Sequence, residues 1–125
     1  MSLISPNGTI TLALSVTNRQ ASAKWFYDML GFETLYHADE AGWSEIQTNT
    51  AGVTLGLGEQ ASASPGNCVP VFGVADLEEA RRKLEQAEVV FDGATEVIDG
   101  MVKTATFFDP DGNALMLAED LTEGA

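Results

Sequence analysis

Apolar and polar residues alternate along Thr9–Val16, with Ile10, Leu12, Leu14 and Val16 on one side and Thr9, Thr11, Ala13 and Ser15 on the other. A period of two with one apolar face predicts a half-buried strand. Asn18 then supplies an N-cap. Ala23, Phe26, Met29 and Leu30 fall on one stripe of a helix predicted over 20–30. Gly31 follows as a left-handed stop. Phe32–Ala38, Trp43–Thr48 and Val53–Leu57 read as three further strands, the last with Val53, Leu55 and Leu57 facing inward.

The segment 58–67 (GEQASASPGN) is small, polar and contains Pro-Gly, the composition of a linker. After it the order of elements repeats. Val69–Val74 reads as a strand. Asp76 and Glu79 form a capping box ahead of a helix whose stripe is Leu77, Ala80 and Leu84. Val89–Phe91, Met101–Phe108 and Ala114–Ala118 read as strands, the last two joined by the tight turn Asp109-Pro110-Asp111-Gly112. Asn18 and Asp76 stand 58 apart, as do Gly42 and Gly100, while Gly52 and Gly112 stand 60 apart. The pattern predicts an α+β fold of two tandem βαβββ modules in a single domain over 1–125. Repeat one covers about 9–57, the linker about 58–67 and repeat two about 68–119. Each sheet covers one face with its helix and leaves the other to curl around something.

Composition narrows the function. A chain of 125 residues, 45% of them hydrophobic, suits one core. The lone Cys68 rules out an intramolecular disulfide and fits a reducing cytoplasm; its expected place is that of a small, half-buried hydrophobe. Nineteen acidic residues face six basic ones, for a net charge of −13. Such a surface repels phosphate backbones and anionic lipid, so neither nucleic acid nor membrane is an expected partner. Met1–Gly8 has no basic segment and no apolar run, so no signal peptide is expected, and no apolar stretch approaches membrane-spanning length. The expected location is cytoplasmic.

Two runs carry a resemblance. Trp25-Phe26-Tyr27-Asp28-Met29-Leu30-Gly31-Phe32 resembles the FYxxxLGF signature of the vicinal oxygen chelate superfamily, which includes glyoxalase I, extradiol dioxygenases and the bleomycin-resistance proteins. Phe107-Phe108-Asp109-Pro110-Asp111-Gly112-Asn113 resembles its FxDPDGN signature. The resemblance runs from about Thr9 to Glu119. It implies an open, U-shaped mixed sheet around a cavity, helices on the outer face, and pairing of chains as homodimers. In enzymes of the family, ligands on the first and last strand of each half hold a metal that stabilises a developing oxyanion. The corresponding positions here are Thr11, Gly56, Val69 and Met116. None is a good donor to a divalent metal, so neither a metal nor another cofactor is expected.

Strand parity extends this to a set of candidate ligand-binding residues. The non-core faces present Thr11, Ala13, Trp43, Glu45 and Gly56 in the first half, and Val69, Val71, Met101, Lys103 and Met116 in the second. Of the neighbours Phe107 and Phe108, Phe107 is expected in the cavity. The register after Gly100 is the least secure, because a slip of one exchanges Met101 with Val102. His37 reads either as a base or ligand contact or as an exposed strand histidine. Glu45 reads either as a polar ligand contact or as a surface carboxylate. Trp25 reads as helix packing. No phosphate-cradling glycine loop and no nucleophile elbow is present.

Three functions stay open. One is a metal-independent binding protein for a small molecule, similar to the antibiotic-sequestering branch of the family. The second is a lyase or isomerase with a nonstandard site, using Glu45 or His37 as base. The third is a scaffold or regulatory module with a residual cavity.

Overall fold

The structure is a computed structural model that describes residues 7–66 and 68–122. The chain divides into two compact units, and the division falls between Ser64 and Pro65, inside the segment that composition marks as a linker. The first unit contains β1 (Ile10–Val16), α1 (Arg19–Leu30), β2 (Thr34–Ala38), a 3-10 turn at Asp39–Ala41, β3 (Trp43–Thr50) and β4 (Val53–Glu59). The second contains β5 (Val71–Gly73), α2 (Leu77–Gln86), β6 (Glu96–Ile98), β7 (Val102–Phe108) and β8 (Ala114–Asp120). Each unit folds one four-stranded mixed sheet, in the orders β1-β4-β3-β2 and β5-β8-β7-β6. The first and last strands of each module pair in parallel, and the remaining pairs are antiparallel. This is the α+β architecture of two tandem βαβββ modules that the hydrophobic pattern predicts.

Both helices start where their caps place them. Asn18 Oδ1 accepts the Ala21 N–H at 2.9 Å, and Asp76 Oδ1 accepts the Glu79 N–H at 3.1 Å. Gly31, at φ 74°, takes the left-handed stop, and its N–H closes on the Tyr27 carbonyl at 2.9 Å. A second device is common to both modules. Glu59 Oε1 accepts the Arg19 N–H at 3.0 Å, and Glu119 Oε1 accepts the Leu77 N–H at 2.8 Å. Each carboxylate, at the end of its module's last strand, thereby satisfies an orphan donor in the first turn of that module's helix.

One face of each sheet is buried. In the first unit the buried apolar strand residues are Leu14, Val16, Ile46, Leu55 and Leu57, with Ala23 and Phe26 from α1. Trp25 meets Phe26 edge-on at 5.0 Å, and Phe26 stacks on Phe32 at 6.3 Å, so Trp25 is helix packing. In the second unit Ala105, Phe107, Leu115 and Leu117 meet Leu77 and Leu84 of α2 in the buried set. Leu12, Phe72 and Val74 share these faces but are half-buried. No helix among the described residues is long and apolar enough to cross a membrane.

The second module departs from the sequence reading in several places, most of them with one cause. The expected strand Val89–Phe91 makes a single bridge, Phe91 to Phe107, and the edge strand forms later as β6. Ser44 stands two positions after Gly42, but Ala105 stands five after Gly100, and Ser44 and Ala105 each lie opposite the second leucine of the last strand, Leu57 and Leu117. The excess is odd, so every side chain of β7 changes face relative to a count taken from the paired glycines. Phe107 therefore lies opposite Leu115 and is fully buried, packed on Phe91 at 5.5 Å, and it is Phe108 that takes the other face. Lys103 lies on the helix-covered side, with Nζ 3.8 Å from Glu78 of α2. Met101 is exposed in the turn before β7, where its N–H meets the Ile98 carbonyl at 2.9 Å. Cys68, expected to be half-buried, is exposed.

Candidate functional site

In the first module the non-core face of the sheet converges on Glu45. This residue sits in the middle of β3, opposite Tyr36 of β2 and Gly56 of β4. Thr11 of β1 lies opposite Thr54 of β4 on the same face. Glu45 Oε2 accepts the Thr11 hydroxyl at 2.9 Å and the Thr54 hydroxyl, and these two hydroxyl oxygens are 2.8 Å apart. Its Oε1 accepts the Trp43 indole N–H at 2.7 Å and, at 3.5 Å, the Tyr36 hydroxyl. The residue is 9% exposed. Burial pushes the carboxyl up, but the hydrogen bonds from Thr54, Trp43, Thr11 and Tyr36 outweigh it and hold the group below its ordinary value.

Trp43 owes its place to glycine. Its indole lies across β4, and a Cβ on Gly56 would stand 1.9 Å from the indole Cζ2. A Cβ on Gly58 would stand 3.6 Å from the same ring, an ordinary contact. Gly56 thus costs strand stability in exchange for a close approach. Ala13, paired with Gly56, is exposed on the same face.

The opposite face of this sheet holds a second polar cluster. Arg19, at the start of α1, is 6% exposed. Its guanidinium donates to Glu59 Oε1, the Trp43 carbonyl, the Ser44 hydroxyl and Asp39 Oδ1, each at 3.1 Å. His37 belongs here. It pairs with Ser44 across β2 and β3, and its Nδ1 is 2.6 Å from the Ser44 hydroxyl oxygen. His37 and Glu45 therefore lie on opposite faces of one sheet, because they sit at positions of opposite parity.

The corresponding face of the second module is built differently. Val71 lies opposite Met116, and Met116 opposite Thr106. Phe108 shares their face and is half-buried, as is Met116. Val69 precedes β5 and is exposed, as is Val71. By register the position equivalent to Glu45 is Thr106, so this face carries no carboxylate at its centre.

The residues at the four positions where the resemblance implies metal ligands do not fit a metal. Gly56 has no side chain, and the Trp43 ring occupies the space where one would project. Thr11 turns its hydroxyl proton to Glu45. Val69 has no donor, and Met116 offers a thioether, a poor ligand for a hard cation. Glu45 itself is ringed by four neutral proton donors, none of them a metal ligand of the carboxylate, imidazole or thiolate kind. Among the described residues no group of three or more His, Cys, Asp or Glu is placed to hold a metal ion.

Strand parity predicts Thr11, Ala13, Trp43, Glu45 and Gly56 on one face, and the structure brings these together there. The prediction missed Tyr36 and Thr54. The signal for Thr54 was present, since it alternates with Leu55 and shares the parity of Gly56 in VTLGL. Tyr36 gave no such signal, because β2 has a register shift between Thr34 and Tyr36 that period-two counting does not foresee.

Two outcomes follow from this geometry. Gly56→Ala drives the indole off β4 and breaks its bond to Glu45, at a cost of about 1–3 kcal/mol. In a Trp25→Phe background, denaturant titration and a red-shifted emission from Trp43 should report this; unchanged emission and stability would contradict the close approach. Glu45, held below its ordinary value in the folded chain, stabilises the fold when ionised. That contribution is present above the ordinary carboxylate range and is lost as pH falls through the depressed folded value. The thermal midpoint of the unaltered protein should exceed that of Glu45→Gln at neutral pH, and the gap should close as pH falls below the ordinary carboxylate range; a gap that does not vary with pH would show that the charge is not the stabilising element.

Comparison with known proteins agrees with this architecture. The family model of the glyoxalase/bleomycin resistance protein/dioxygenase superfamily matches residues 9–117. No curated protein matches by sequence. A superfamily member from Sphaerobacter thermophilus DSM 20745 is similar with a TM-score of 0.78 at 20% identity, over 95% of this chain and 100% of that one. TnmS3, an antibiotic binding protein from Streptomyces sp. CB03234, is similar with a TM-score of 0.72 at 19% identity, over 96% and 99% of the two chains. The fosfomycin resistance protein FosX from Listeria monocytogenes is similar with a TM-score of 0.74 at 14% identity, over 94% of each. At these identities the structures speak for the fold alone, and the match of the family model over most of the chain places this protein in the glyoxalase/bleomycin resistance protein/dioxygenase superfamily.

Proposed function

We propose that the chain is a metal-independent small-molecule binding protein, and that the Glu45 face of its first module contacts the ligand. The observation that carries this is the preorganised cluster of Glu45, Trp43, Tyr36, Thr11 and Thr54 on a sheet face that no helix of its module covers. An aromatic wall with a few fixed polar groups suits a ligand site. The antibiotic-binding function of TnmS3, a neighbour in fold, supports the same reading. The competing reading, a lyase or isomerase with Glu45 or His37 as base, has less behind it. A carboxylate held below its ordinary value is a weak base at neutral pH, and His37 lies on the other face of the sheet.

Within this reading the chain acts in the cytoplasm as a pair of identical subunits. Support for the pairing lies in the edge strands β2 and β6, where Leu35, Tyr36, Val97 and Ile98 are exposed apolar residues.

Binding is tested by thermal shift against a panel of natural products and carbonyl metabolites, with and without EDTA. A ligand at a hundred times its Kd stabilises by about 2.7 kcal/mol, and the shift should persist in EDTA and disappear in Trp43→Ala. A shift that EDTA abolishes, or conversion of the hit to product, would overturn the reading. Pairing is tested by sedimentation at micromolar concentration, where a monomer would remove it.

A further inference from the structure

We infer that the ligand received by the first module carries a protonated amine, and that Glu45 is its counter-ion. This rests on the binding reading above and adds the chemical class of the ligand. The starting point is an asymmetry between two buried charges on opposite sides of one sheet. Arg19, on the helix side, meets two carboxylates, Glu59 and Asp39, as well as two neutral acceptors. Glu45, on the open side and nearly as buried, meets four donors, and all four are neutral. Among the described residues every ion pair lies elsewhere. Buried charges are as a rule paired, since hydrogen bonds from neutral groups spread a charge without cancelling it. The missing cation is therefore supplied from outside the chain.

The geometry says where it arrives. Oε2 is closed by two threonine hydroxyls, and Trp43 holds one side of Oε1 at 2.7 Å. The remaining position on Oε1 belongs to the Tyr36 hydroxyl at 3.5 Å, too long for a strong bond. Tyr36 is 51% exposed, so its phenol is the group with room to move. An ammonium N–H entering there meets Oε1 beside the Trp43 indole N–H, in the place that the Tyr36 hydroxyl gives up. A carboxylate or phosphate ligand meets repulsion at the same spot. A neutral ligand's hydroxyl can donate to the same oxygen but leaves the charge uncompensated. The net charge of −13 draws cations toward the chain before any contact forms.

The experiment compares 1-naphthylmethylammonium with its neutral isostere 1-naphthylmethanol, titrated into the full chain and followed by Trp43 fluorescence in a Trp25→Phe background. The ammonium should bind about ten-fold more tightly than the alcohol, and Glu45→Gln should bring the two to the same affinity. A second readout needs no change at Glu45. The NMR signal of the Trp43 indole N–H, which points at Oε1, should shift with the ammonium well beyond its shift with the alcohol. Equal affinities for the two probes, or an indole signal that the ammonium leaves in place, would overturn the amine inference and leave the binding reading standing. Failure of both probes at millimolar concentration, with a neutral or anionic compound stabilising the protein in the thermal panel, overturns the amine inference alone. Failure of both probes and of the whole panel overturns both readings.

Discussion

Each module has one helix for a sheet with two faces. That shortage governs the molecule. The helix buries one face of its sheet, and strand alternation then sends every second side chain to a face that the module itself does not cover. On the covered face the residues are chosen for volume: Ile46, Leu55 and Leu57 in one unit, Phe107, Leu115 and Leu117 in the other. On the uncovered face the choice is open, and the two modules use it differently. The first places a carboxylate there with its four donors, while the second places Val71, Met116 and Phe108 around a threonine. One backbone plan thus carries two chemistries.

The contrast between Arg19 and Glu45 shows how a sheet separates opposite charges. The two residues flank Ser44 and Trp43 from opposite sides: Arg19 binds the Ser44 hydroxyl and the Trp43 carbonyl, and Glu45 binds the Trp43 indole. The backbone of Trp43 is held by the cation and its ring by the anion. The indole can then lie flat on Gly56 without wandering, since both ends of the residue are fixed by charge-assisted bonds. Preorganisation of the ring is a product of the polar network beneath it as well as of the glycine that admits it.

Much of this was readable in the chain. The cap at Asn18, the stop at Gly31 and the alternation in β1 and β4 place the first module nearly residue by residue, and they bring Thr11, Trp43, Glu45 and Gly56 to one face. The second module was less legible because its register depends on a count through a loop. The count from Gly100 to Ala105 is three longer than that from Gly42 to Ser44, and this excess exchanges Phe107 with Phe108 and moves Lys103 to the helix side. Nothing local in the sequence marks that excess, since a turn tolerates added residues that a strand does not. The partners of Glu45 from β2 stayed hidden for a related reason, the register shift beside Leu35.

The glutamates at the ends of β4 and β8 bear on how such a chain assembles. Each joins the last strand of its module to the first turn of its helix, across 40 residues in one case and 42 in the other. The parallel pairing of first and last strands closes over a slightly longer span. Neither contact exists until the whole module has been threaded, so the loop-closure entropy of the full span is met before the reward arrives. A module is in this sense a cooperative folding unit: a ribosome that has delivered three of its strands has made an intermediate with an unpaired first strand and a helix whose N-terminal donors still face water. Duplication of such a unit, whole and never in part, is the form of growth that this closure permits.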